Sequence, residues 1–194
     1  MDLAQAANEL IRTRRAIYTN MFSGEPVDNH IIEEMLENAN WAPTHKLTAP
    51  WRFVVFHGEG LKKLSNFQGD LYKQKSGAAF DEEKFRKLTG KPLECSHVIA
   101  LCMQRDEKNR VPEIEEICAV ACAVQNMWLT ASAHKIGCYW STGGATFEEA
   151  AKPFLGLREQ DKLLGFLYIG MPKTDKWPQG KRTSIDEKVK WVDA

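Results

Sequence analysis

Long apolar runs are scarce in this chain of 194 residues: the longest, Ile117 to Val124, is eight residues. A helix that crosses a membrane needs about 20, so no spanning segment is expected. Net charge is missing too, because 26 Lys+Arg balance 26 Asp+Glu. Nucleic acid and anionic membrane are therefore excluded as partners, since both require a clear cationic excess. The 5 cysteines (Cys95, Cys102, Cys118, Cys122, Cys138) form no C-x-x-C and lie in apolar stretches, which predicts buried free thiols rather than a disulfide framework. Cys118 and Cys122 share i, i+4 spacing, but a metal site needs more ligands at closer spacing, so no metal is expected. Residues 1–10 carry Asp2 and Glu9 and lack the basic-then-apolar layout of a signal peptide. That predicts a cytoplasmic protein. Neither G-x-G-x-x-G nor G-K-[ST] occurs, so a nucleotide-like ligand would be held by side chains and scattered backbone groups.

The material for a core is ample, with 43% hydrophobic and 10% aromatic residues. Length and composition predict one domain over residues 1–194. A polar stretch at 59–92 reads as short surface helices or a lid, and 173–194 reads as a C-terminal extension. Helices are predicted over Asp2–Arg14, after the cap Asp28, and over Pro112–Lys135. The last has Pro at its first turn, acids near its positive end and Gly137 just beyond it. Its apolar middle predicts passage through the core. Thr146 and Glu149 read as a capping box for a helix carrying Phe147, Ala150, Ala151 and Phe154. Strands are predicted at Trp51–His57, His97–Met103, Cys138–Ser141 and Gly165–Ile169, with a short extended segment at Val189–Val192. Four strands among unequal helical stretches, without strict β-α-β alternation, indicate an α+β layered fold.

Three segments carry chemistry. Arg12-Thr13-Arg14-Arg15-Ala16 ends the first helix. Its arginines either cap the last carbonyls or grip an anion, since the guanidinium fork matches phosphate oxygens. The run from Trp41 to Phe53 places His45, Lys46 and Thr48 in a loop stiffened by Pro43 and Pro50. It is either a turn whose tryptophans fill the core or a wall for a flat ligand. Trp140-Ser141-Thr142-Gly143-Gly144 closes a strand with glycines, which is an ordinary turn or a place where a ligand meets backbone N–H groups.

Taken in this order, the segments resemble the nitroreductase family of flavin enzymes. The likeness runs from Arg14-Arg15-Ala16 through Glu25-Pro26-Val27, Ala42-Pro43 and Pro50-Trp51-Arg52-Phe53-Val54-Val55. It resumes in the long helix and ends at Leu164 to Pro172. Ala42-Pro43-Thr44-His45-Lys46 and Arg158-Glu159-Gln160-Asp161 are similar to the small single-domain branch of bacterial NAD(P)H nitroreductases. The resemblance implies a nitroreductase-like fold: a mainly antiparallel sheet of four strands, joined by a C-terminal strand from a partner, with helices around it and one long buried helix. It also implies a homodimer with FMN at its interface, and NAD(P)H as reductant. Hydride passes to flavin N5 and then, by ping-pong exchange, to a nitroaromatic or quinone-like acceptor. Because the flavin carries the chemistry, no catalytic side chain is assigned.

Carried over residue by residue, the FMN contacts are Arg14, Arg15, Ala16, Trp41, His45, Trp140, Ser141, Thr142 and Arg182. The nicotinamide cofactor would meet Thr130, Ala131, Ser132, Ala133, His134 and Lys135. The chain departs from the family in having Ala16 in place of a serine, and Lys46-Leu47-Thr48-Ala49 in place of His-Asn-x-Gln. Ser141 stands where the nearest branch has arginine. The lost amides leave Lys46 or His45 to stabilise the reduced flavin near N1. Two other functions stay open: a flavin-binding or sensing protein without turnover, and an interaction module whose basic N-terminal cluster meets an anionic partner.

Overall fold

The computed structural model describes residues 2–193. Helix α1 (Leu3–Thr13) starts where the Asp2 carboxylate accepts from the Gln5 N–H at 2.8 Å, the usual way an N-cap satisfies an orphan donor. Helix α2 (Asn29–Asn40) starts the same way at Asp28. Strand β1 (Trp51–His57) leads into α3 (Glu59–Ser76) and α4 (Glu82–Leu93), followed by β2 (His97–Met103). Helix α5 (Glu113–Ala133) follows Pro112 with Glu113, Glu115 and Glu116 in its first turn. Strand β3 (Gly137–Ser141), α6 (Ala151–Leu155) and β4 (Lys162–Gly170) complete the fold.

The four strands form one sheet in the order β1-β2-β4-β3, with every neighbouring pair antiparallel. β1 and β2 pair without interruption from Trp51↔Met103 to His57↔His97. The β2–β4 register shifts between Leu101 and Cys102, so β4 bends near Gly165, which sits at φ +135°. Apolar clusters cover both faces. Met35, Ile99, Leu101, Met127, Leu167 and Ile169 pack beneath α2 and α5. Leu64, Val98, Ala100, Phe166 and Tyr168 pack on the side of α3. The period-2 alternation of β2 sends Val98 and Ala100 one way and Ile99 and Leu101 the other.

Several expectations need correction. The polar stretch 59–92 is a helical hairpin rather than short surface helices. Its first arm runs 18 residues and buries Leu61, Leu64, Ser65, Gln68 and Leu71, an i, i+3, i+4 stripe hidden among lysines. The long helix does not bury every face: Ile114 is 62% exposed, and Cys118 and Cys122 are exposed as well, so only three of the five thiols are buried. No capping box forms at Thr146, whose hydroxyl donates to the Gly143 carbonyl at 3.0 Å. The helix starts later, at Ala151, and leaves Phe147 exposed. Val189–Val192, expected to join a partner's sheet, pairs with no strand of its own chain among the described residues and follows a 3-10 turn at Ile185–Lys188. No helix among the described residues is long and apolar enough to cross a membrane.

Candidate functional site

After α1 the chain turns extended, and Ala16 bridges Cys138 in parallel, with the Ile17 N–H donating to the Cys138 carbonyl at 2.9 Å. This sets the arginine cluster against the start of β3. Arg15 is engaged within the protein. Its Nε donates to the Pro178 carbonyl at 2.8 Å, and its Nη1 donates to the carbonyls of Arg12 at 2.7 Å and Arg14 at 2.8 Å. The capping reading therefore describes Arg15, which also ties the C-terminal segment to the end of α1.

Arg14 is different. Its guanidinium lies over the Trp128 ring, 4.4 Å from the centroid, and its buried Nε has no hydrogen-bond partner among the described residues. Burial lowers its pKa first, and the charges of Arg182 and Arg15 lower it further, against a small opposing effect of Cys138. None of these groups is a carboxylate. A half-buried cation with an orphaned donor beside two like charges is able to take up an anion. Trp128 was not among the predicted residues. It holds the cluster together, since its Nε1 also donates to the Arg15 carbonyl at 3.2 Å. Nothing in the sequence separates this tryptophan from the other large residues of α5.

From Cys138, β3 carries the backbone toward Ser141, about 10 Å at roughly 3.3 Å per residue. Trp140 is half-buried, with its Nε1 donating to the Leu164 carbonyl at 3.1 Å. Ser141 is buried and its Oγ accepts from the Gly143 N–H at 3.4 Å. Thr142, Gly143 and Gly144 follow as exposed backbone. The first and third predicted segments thus share one strand edge, cationic at one end and open at the other.

The second segment lies elsewhere. Trp41 is 78% exposed and its Nε1 donates to Glu37 at 3.1 Å. His45 Nδ1 meets the Glu115 carboxylate at 2.6 Å, and Lys46 Nζ donates to the Arg110 carbonyl at 2.9 Å. Glu115 opens α5 and Trp128 lies near its other end, about 20 Å along the axis at about 1.5 Å per residue. One chain does not bring His45 to the Arg14 cluster. Both side chains expected to compensate for the missing amides meet partners near the start of α5 in this chain. Lys46, Leu47 and Ala49 also sit at positive φ, +50°, +53° and +41°, a conformation that costs a non-glycine residue about 1 kcal/mol or more.

The nicotinamide stretch divides in two. Ala131 and Thr130 are buried, and the Thr130 hydroxyl accepts from Asn38 Nδ2 at 2.9 Å in the α2–α5 contact. Neither has a surface to offer, which corrects their place in the set. His134 Nε2 meets Glu34 at 2.9 Å. Ser132, Ala133 and Lys135 line a shallow cavity of about 390 Å³ together with Thr13 and Trp177. Arg182 enters the cluster through its charge on Arg14.

Known proteins resemble this chain in sequence and in fold. A model described as "Nitroreductase family" matches residues 11–171. YfhC of Bacillus subtilis, a protein provisionally named as an NAD(P)H nitroreductase, is 30% identical over 182 residues, covering 93% of this chain and 91% of its own. A nitroreductase-like family protein from Bacillus cereus superposes with a TM-score of 0.84 at 29% identity, over 100% of both chains. NfnB of Mycobacterium smegmatis, an FMN-dependent nitroreductase solved in complex with NADPH, shares the fold at a TM-score of 0.76 and 19% identity, over 99% of this chain and 100% of its own. The chain belongs to the nitroreductase family of oxidoreductases.

Proposed function

We propose that the chain is an FMN-dependent NAD(P)H oxidoreductase, acting as a homodimer on a small, flat, electron-poor acceptor of nitroaromatic or quinone type. The observation that carries this reading is Arg14, a half-buried guanidinium with an unpartnered Nε and two arginines acting on it. A phosphate monoester answers that demand, and the edge running to Thr142–Gly144 leaves room for a ring beside exposed backbone. FMN held there would supply a two-electron carrier between NAD(P)H and the acceptor, in ping-pong fashion.

The protein's own residues bind and orient. Arg14 and Arg182 neutralise the phosphate, while Arg15 positions the C-terminal segment through Pro178. Ala16 contributes backbone alone. Trp140 walls the ring, and the Ser141–Thr142 backbone with its glycines faces the ring's polar edge. Ser132, Ala133 and Lys135 are the surface left for the nicotinamide cofactor. On this reading the whole chain acts as one flavin-binding domain.

Trp41 and His45 join from a second copy. Support for that copy comes from exposed apolar side chains: Trp41 at 78%, Leu47 at 86% and Ile114 at 62% exposure, the last contiguous with Cys118 and Cys122 on α5. Contiguous apolar surface of this kind marks an interface. Sedimentation of the wild type and of Trp41→Glu with Ile114→Glu tests it: the wild type should be dimeric at micromolar concentration and the variant monomeric.

The visible spectrum of the purified protein, followed by NAD(P)H addition and then a nitroaromatic, tests the activity. Flavin bands that bleach and return are expected. Bands that resist NAD(P)H indicate a flavin-binding protein without turnover, and a colourless protein that takes up no FMN refutes the reading.

A further inference from the structure

The α3–α4 hairpin encloses a cavity of about 350 Å³ whose other side is the loop after β3. Of the residues assigned above to the flavin, only Gly144 borders it. Leu71, Leu88, Ala79 and Ala145 form its apolar walls, with Tyr72 beside them. An engineered apolar cavity of about 150 Å³ takes one benzene, so this one has the size for one or two fused rings. Gly144 makes the enclosure possible. It sits at φ +67°, a conformation that strains other residues, and the loop comes so close to α4 that a Cβ there would lie 2.8 Å from Leu88 Cδ1.

The inner end is polar. Gln68 is 1% exposed and lines the cavity, and both its amide Oε1 and Nε2 have no hydrogen-bond partner among the described residues. Leaving a buried amide unsatisfied costs about 1–3 kcal/mol per group. Tyr168 lies beside it and interacts with Gln68, which holds the phenol's pKa down in part against the burial that raises it to about 12, but the pair closes no hydrogen bond of good geometry. An amide with both a free donor and a free acceptor is complemented by a carbonyl adjacent to an N–H. Lys75 and Lys84 stand at the cavity's rim against the single acid Glu148, which pairs with Lys75. Lys84 leans over the Tyr72 ring at 5.2 Å. The rim therefore favours an anion.

We propose that this cavity is a second ligand site, for a small aromatic or heteroaromatic acid that carries a carboxamide or ring imide opposite its carboxylate. The amide edge pairs with Gln68, the ring fills the space between Leu71, Leu88 and Ala145, and the carboxylate meets Lys84. The site stands independently of the flavin assignment.

The test uses the full chain, with and without FMN, and three probes: 4-carbamoylbenzoate, benzamide and benzoate. The bifunctional probe should bind one to one, shift the backbone NMR signals of Leu71, Leu88, Gly144 and Ala145, and remain bound when FMN is added. Gln68→Leu should weaken the two amide probes at least tenfold, and Lys84→Gln should weaken only the two carboxylates. FMN uptake, read from visible absorbance, should be the same in both variants, so a failure of the flavin reading is seen separately. The NMR shifts of the wild type decide the location even if Gln68→Leu does not fold. Absence of saturable binding, shifts that fall elsewhere, displacement by FMN, or unchanged affinity in a folded Gln68→Leu would each overturn the proposal.

Discussion

Replacing Arg14 with alanine separates an anion site from a structural arginine, because the two roles predict opposite results for two ligands. FMN and riboflavin share the ring and the ribityl chain and differ in the phosphate. A charge-assisted hydrogen bond contributes about 1.5–3 kcal/mol, and the free Nε together with one Nη offers two of them. Part of that gain is offset, since the substitution also relieves the repulsion from Arg15 and Arg182. A net loss of about 3 kcal/mol for FMN follows, on the order of 100-fold in Kd. Riboflavin affinity should stay within about twofold, a spread well under the 1.4 kcal/mol or so of a tenfold change.

The fold itself should hardly notice. Losing the cation–π contact with Trp128 removes about 1 kcal/mol, against a compensating relief of like charge. The melting temperature should therefore move by no more than about 2–4 °C for a chain of this size. Arg14→Lys keeps the charge and loses the fork, so its FMN affinity should fall between wild type and alanine. Titration of both ligands by flavin fluorescence, at one fixed ionic strength because screening changes the answer, reads all of this directly. Equal losses for FMN and riboflavin, or no loss for FMN, would refute the phosphate assignment.

Other consequences are as direct. Leu64 is fully buried on the inner face of α3, so Leu64→Ala should cost about 3 kcal/mol, seen as a lower urea midpoint with an unchanged slope. Gly165→Ala forces a Cβ to within 2.6 Å of the Ser141 carbonyl and into the Trp140 indole at a φ of +135°; near-UV circular dichroism should report a displaced tryptophan, and a spectrum unchanged from wild type would count against the packing. His97 should make stability fall on acidification. Its Nε2 meets Asn29 at 2.9 Å and its Nδ1 meets Ser96 at 3.0 Å, whose hydroxyl oxygen accepts from Val27, a network that fits the neutral ring. Burial, then the charge of His57, lowers its pKa from 6.5. The unfolded state binds the proton first, so stability is complete above about pH 6.5 and declines as pH falls, at up to 1.4 kcal/mol or so per unit. Urea melts at pH 7.5, 6.5 and 5.5 should show a shallower decline in His97→Gln.

The parts legible in the sequence are those set by local rules. Asp2 and Asp28 announce their helices because a carboxylate before an apolar periodicity has one economical use. The β1 and β2 boundaries follow from short β-rich runs. Where a residue's role depends on a distant partner, reading fails. Gln68 lies in a segment whose lysines and glutamates suggest a surface, and only the packing of α3 on the sheet reveals its burial. Thr146-x-x-Glu149 satisfies a local rule, yet the Thr146 hydroxyl finds the Gly143 carbonyl first, and the helix begins later. In the arginine cluster, the sequence supplies three adjacent-looking cations but not their division of labour. Arg15 spends its donors on carbonyls while Arg14 is left with one free, a distinction made by Pro178 and Trp128 from far along the chain.

The long helix shows why the apolar middle of a sequence segment does not by itself mean burial on every side. Ile114, Cys118 and Cys122 recur every fourth residue and form a single stripe that faces away from both apolar clusters. The same stripe borders Pro43, Thr44 and His45, so the strained loop and the open face of α5 make one continuous surface. A strained backbone at Lys46, Leu47 and Ala49 persists only where the surroundings over-determine it, and in one chain the pairs His45–Glu115 and Lys46–Arg110 do part of that. Leu47, exposed at 86%, has little among the described residues to hold it there. A second copy seated on this surface would give Leu47 its contact and α5 its missing cover. It would also carry Trp41 and His45 across the distance that keeps them from Arg14 within a single chain. Strain, exposure and the divided site then have one physical cause.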